Sequence, residues 1–200
     1  MKAYHDNPAI KSSILDVLAT HRMADELVKG QYWENGKGCA VGCTVKSSDH
    51  MEYETKFGIP VMLARLEDRI FEGLPNEKAM LWPERFMFAI KPGSDLSLVG
   101  WKFQWWLLTD ESVNPGINHP IVKEAVKLCA DALYPLTKGQ PVDVSAARSA
   151  ARSAESAARS AARSAARSAA RSAAWSAASA ESAAYEKMAD KLIELIVECD

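Results

Sequence analysis

The feature that most constrains this chain is a low-complexity block, Ser145 to Ala184, built on the tetrapeptide Ser-Ala-Ala-Arg. Ala is the strongest helix former, Arg stands close behind it, and Ser is tolerated at these intervals. No Gly or Pro occurs from Val142 to Asp200, and Pro141 and Asp143 supply a start with Asp143 as N-cap. The block is therefore expected to be helical. A four-residue repeat drifts around an α-helix by about 40° per repeat. The stripe of Arg148, Arg152, Arg159, Arg163, Arg167 and Arg171 would spiral accordingly. Three-residue steps at Ser153-Ala154-Glu155, Ser176-Ala177-Ala178 and Ser179-Ala180-Glu181 take back part of that drift. The result is a wide face of small side chains, open to close approach by another helix, and one stripe of long ones.

Length adds a second constraint. Unbroken from Val144 to Glu198, this helix would run about 80 Å, whereas a compact chain of 200 residues is about 40 Å across. The helix must bend or break at a Ser, or project and pair with another chain. Its arginines repel at i,i+4 (Arg148/Arg152, Arg159/Arg163, Arg163/Arg167, Arg167/Arg171), at about 0.2–0.5 kcal/mol per pair. Residues 1–143 carry the compensating acidic excess, 19 Asp and Glu against 16 Lys and Arg. The stripe reads first as a solvated or internally paired face. The sharper alternative is a track for phosphate backbones or nucleotides, which a formal net charge of −2 does not favour.

Hydrophobic content of 48 % and six Trp supply a core. No apolar run approaches a membrane span, and MKAYHDNPAIKSS lacks the apolar centre of a signal peptide. Cysteines at 39, 43, 129 and 199 are too unevenly spaced for a secreted disulfide framework. A reduced, cytosolic setting is expected, without membrane association.

Asn7-Pro8 opens a helix expected to reach about Lys29, with Gly30 and the Gly36/Gly38 cluster ending it. Pro60 opens another, VMLARLEDRIFEGL, closed by Gly73 and Pro75. Met62, Leu63, Leu66, Ile70 and Phe71 line one side of it, with Arg65, Glu67, Asp68, Arg69 and Glu72 largely on the other. Further helices are expected over Pro83–Ile90, Leu98–Thr109 and Pro120–Tyr134. Trp101, Trp105 and Trp106, with Phe103, Leu107 and Leu108, read as core, set against the Ala face of the repeat. Alternating strand patterns are scarce, so the fold class is all-α. A helical globular domain, 1–140, packs on one very long, bent or broken Ala-rich helix, 141–200. Met188, Leu192, Leu195 and Ile196 form an amphipathic stripe that docks in cis or dimerises.

The residues that could carry chemistry are His21, Cys39, Cys43 and His50. On a helix, Cys39 and Cys43 would share one face. A Cys beside a His can act as a nucleophile, and two Cys with two His could hold zinc. The spacings match no standard zinc pattern, and thiols among Gly, Ala and Val are most often buried hydrophobes. Burial, metal binding and thiol catalysis stay open, with burial first. The chain has no phosphate-binding Gly loop, nucleophile elbow or zincin helix, and no cofactor or metal is assigned.

HRMADELVKGQYWENGKGCAVGCTV, FGIPVMLARLEDRIFEGLP and MLWPERFMFAI, followed by the repeat running into YEKMADKLIELI, resemble an uncharacterised family of bacterial and phage proteins across nearly the whole chain. The family has no assigned activity, so the resemblance implies no functional residue. The repeat alone is similar to repeats in proteins assigned to toxin immunity, which implies a protein-binding role. The expected function is thus a non-enzymatic, protein-binding accessory protein of immunity or anti-defence type. Its partner would be another protein, or a second copy bound through the Ala-rich helix or the tail. The alternatives are a small Cys/His enzyme or metal protein, and nucleic-acid or nucleotide binding along the arginine stripe.

Overall fold

The computed structural model describes residues 1–114, 116–142 and 173–199, together with positions 145, 148, 149, 152, 155 and 156. Among the described residues the chain is mainly helical, with one short hairpin. Two compact units divide it: Met1–Gly100 with Met188–Asp200, and Trp101–Lys187. Among the described residues, no helix is long and apolar enough to cross a membrane.

The first unit is organised around α1 (Pro8–Met23), which starts as expected, with Asn7 Oδ1 accepting from Ala9 N at 3.0 Å. It ends well before Lys29. Asp25 takes a positive φ of 53°, and the next residues pair with Gly38: Val28 N donates to Gly38 O (2.8 Å) and Gly38 N to Glu26 O (3.0 Å). A hairpin of β1 (Trp33–Glu34) and β2 (Lys37–Gly38) supplies that partner. Asn35 and Gly36, both at positive φ, make its two-residue turn, the Asn-Gly combination that right-handed strand twist favours.

Four short to medium helices complete the unit: α2 (Ala40–Val45), α3 (Glu52–Phe57), α4 (Val61–Gly73) and α5 (Asn76–Ala89). α1 and α4 both pack on α5, and α2 packs on α1 and α4. All of α2 is buried. Gly42 is required there, since a Cβ would stand 1.4 Å from the Tyr32 carbonyl oxygen. Pro83 lies inside α5 instead of opening it. Interior Pro costs about 3 kcal/mol, offset here by the burial of Ala79, Trp82, Phe86 and Met87 around it. The carboxyl-terminal stripe is buried in cis: Leu192, Leu195 and Ile196 are core, Met188 is half-buried, and Asp190 meets Arg85 at 2.7 Å.

The second unit contains most of α6 (Val99–Thr109), all of α7 (Lys123–Leu133) and the first part of α8 (Ala173–Val197). Here the aromatic segment departs from expectation. Phe103 is buried, but Trp101, Trp105, Trp106, Leu107 and Leu108 are only half-buried. α6 is apolar around most of its circumference, yet its neighbours fully cover only part of that surface. The Trp106 indole N–H donates to Asp110 Oδ2 (2.9 Å), and Trp105 stacks at a tilt on Tyr134, centroids 5.6 Å apart. Within the repeat, Arg148 and Arg152 are helical and exposed. Arg159, Arg163, Arg167 and Arg171, the proposed N-cap Asp143, and hence the continuity of the long helix lie outside the described residues.

Candidate functional site

The four residues singled out for chemistry fall into two pairs, each organised by an acidic residue of which the spacing argument took no account. Cys43 and His21 meet at Glu26. The Cys43 thiol donates to the Gly38 carbonyl (3.4 Å) and approaches the Glu26 carbonyl (3.6 Å), while His21 Nδ1 lies 2.5 Å from Glu26 Oε2. The His21 ring stands edge-on to Trp33 at 5.5 Å. Cys39 and His50 meet at Asp68. His50 Nε2 is 3.4 Å from Asp68 Oδ2, and its ring stands edge-on to Tyr32. Cys39 caps α2, its sulfur accepting from Gly42 N at 3.5 Å.

The electrostatics of both thiols run against nucleophilic chemistry. Burial pushes the Cys43 thiol up to about 12, and the Glu26 charge adds to that rise. Cys39 is raised further, by burial first and then by Asp68. A thiol nucleophile must be a thiolate, and both of these are held protonated at neutral pH. Among the described residues, the hydrogen-bond partners of the two thiols are backbone groups and Asp68, whereas a nucleophilic thiol needs an imidazole or another base in that place. Among the described residues, no group of three or more His, Cys, Asp or Glu side chains could hold a metal ion.

Beside Cys39 and Asp68 lies a small cavity of about 220 Å³, bordered by Gly30, Tyr32 and Glu72. Glu72 is occupied, both its oxygens receiving the Gly30 N–H at 3.0 Å. Behind it, Glu67 is completely buried. Tyr53 donates its hydroxyl to Glu67 Oε2 (2.5 Å), and the Trp82 indole donates to the Glu67 carbonyl (3.0 Å). Among the described residues, Glu67 Oε1 and Asp68 Oδ1 are buried without a hydrogen-bond partner. Burial pushes the Glu67 carboxyl up to about 8, with the Asp68 charge adding to it and the Tyr53 hydrogen bond opposing. At neutral pH the group is therefore mostly protonated. The placement of Glu67 corrects the expected polar face of α4. Leu63, Glu67 and Ile70 stand at i, i+4 and i+7, so helical spacing puts the glutamate on the buried stripe despite its charge. That spacing was the available signal for it; for Glu26 and Asp68 the sequence holds no comparable one.

The open concavities have a different lining. Between α6 and α7 a pocket of about 480 Å³ is walled by Trp105, Leu108, Ile117, Val126 and Ala130, with Lys123 and Lys127 also lining it. Ile121 nearby in sequence is exposed, as is Tyr134. Lys127 is paired with Asp131 at 2.5 Å. No family model matches the chain, and neither a curated protein nor a solved structure matches it.

Proposed function

We infer that the protein acts by binding another protein, and that the pocket beside Trp105 receives an apolar side chain of that partner. The observation that carries this reading is the half-buried Trp105, which lines an open pocket of about 480 Å³ where apolar side chains alternate with Lys123, Glu124, Lys127 and Asp131. Trp in an apolar pocket with a polar rim is the usual make-up of an interface hot spot. The state of the thiols supports a non-enzymatic role, since neither Cys39 nor Cys43 is held as a thiolate. Immunity or anti-defence is the narrowest form of the proposal, and its support is the resemblance of the Ser-Ala-Ala-Arg repeat. That repeat is proposed to continue as a long helix, on the strength of its composition. Four free thiols agree with a reducing, cytosolic setting.

A photoreactive residue at position 123, in cells that produce the protein, tests the proposal. One protein adduct at 123, absent from a control at exposed position 2 and lost on Trp105→Ala, is expected. No adduct, or equal labelling at both positions, contradicts it.

A further inference from the structure

The outer side of α1 carries a row of short side chains flanked by concavities. Ala9, Ser13 and Val17, four residues apart, form a low ridge. A concavity lies against this ridge on either side, of about 440 Å³ towards Ile14 and Phe57 and about 560 Å³ towards Asp16 and Thr20. Rows at i±4 on two helices interdigitate at a crossing angle of about −50°, and short side chains bring the axes to about 8 Å.

The charges on this face narrow the choice of occupant. Lys46 borders both concavities. It closes α2 in the left-handed conformation, φ 60°, where Gly or Asn is the usual residue. Asp16, exposed on α1, lines the second concavity. Neither side chain has a hydrogen-bond or ion-pair partner among the described residues, although both border the same hollow.

We propose that this face joins two copies of the chain about a two-fold axis near Ser13, so that Lys46 of each copy reaches Asp16 of the other. A two-fold interface repeats every contact. The two charges left over in one molecule thereby become two reciprocal ion pairs. An unrelated partner would have to bring an acid and a base at matching positions, whereas a second copy carries both already. A ridge of about three turns buries less than the roughly 1,200 Å² of a stable interface, so the pairing is weak and reversible. It uses neither the Trp105 pocket nor the carboxyl-terminal tail, and stands apart from the protein-binding proposal.

Sedimentation velocity of the full chain, from about one to several hundred micromolar, reads the outcome. The sedimenting species should pass from monomer to dimer over that range. Lys46→Glu and Asp16→Lys should each weaken dimerisation by about tenfold, through lost pairs and new repulsion. The double variant Lys46→Glu/Asp16→Lys should return to within about threefold of the natural chain. Ser13→Arg, on the exposed ridge, should leave the monomer folded by circular dichroism and abolish the dimer. A chain that stays monomeric throughout overturns the proposal, as does a dimer indifferent to Ser13→Arg. So does a double variant no tighter than the single ones. A monomer that instead binds an acidic amphipathic peptide at Ser13 also overturns it, and assigns the face to a different protein.

Discussion

Helices α4 and α6 treat their side chains in opposite ways. α4 carries five charged residues and buries one of them, Glu67, completely. α6 carries three tryptophans and leaves all of them half-exposed. Glu67 is inside because it shares the helical stripe of Leu63 and Ile70, and because Tyr53 meets it there with a hydroxyl. The tryptophans are partly outside because the neighbours of α6 cover only part of its apolar circumference, and of its aromatic rings Phe103 is the fully covered one. Position on the helix decides burial before residue type does. The consequence for function is that the buried ionisable groups of the first unit, His21, Cys39, Cys43 and Glu67, are closed into structural contacts, while the second unit exposes aromatic surface beside an open pocket.

The strongest way to break this comparison is to truncate a tryptophan on each side of it. Trp82 is fully buried and donates its indole N–H to the backbone of α4. Trp82→Ala should cost about 3–5 kcal/mol in urea titrations. A loss below about 1 kcal/mol would mean that Trp82 is not core.

Glu67 gives the next largest effect. Its carboxyl is raised from an ordinary 4.5 to about 8 in the folded chain, so folding favours the protonated form. The stability it contributes is complete below pH 4.5, falls as pH rises, and is fully lost above about 8. Glu67→Gln keeps an acceptor for Tyr53 and removes the titration. The variant should therefore lack the decline between those pH values, and at pH 8 should exceed the natural chain by about 2–4 kcal/mol. Identical slopes for the two proteins would show that Glu67 is ionised in the fold. The smallest effect belongs to Trp105→Ala, about 1 kcal/mol, from the lost ring contact with Tyr134 and partial burial. Its larger consequence should be on partner binding, and a stability loss as great as that of Trp82→Ala would erase the contrast between the units.

Much of the scaffold can be read from local chemistry. Asn7-Pro8 marks the start of α1, and Pro60 with Gly73 brackets α4, because cap and breaker residues act over one turn. The early end of α1 is not local, since it depends on Gly38 drawing residues 26–28 into backbone pairing. The hairpin had a local signal in Asn35-Gly36, masked by reading those glycines only as helix stops. Pro83 misleads because its surroundings override its preference. In the candidate site, the sequence supplies His21, Cys39, Cys43 and His50 as residue types, but not their division between Glu26 and Asp68. That division follows from tertiary packing of α2 against α1 and α4.

The most direct test of the closed polar cluster is the rate at which each thiol of the native protein reacts with a disulfide reagent at pH 7. With Cys43 at about 12 and Cys39 higher still, both should react roughly a thousandfold or more slower than an ordinary exposed thiol, and reach the normal rate only on unfolding. A fast native thiol at position 39 or 43 would contradict the account and put chemistry back at that site.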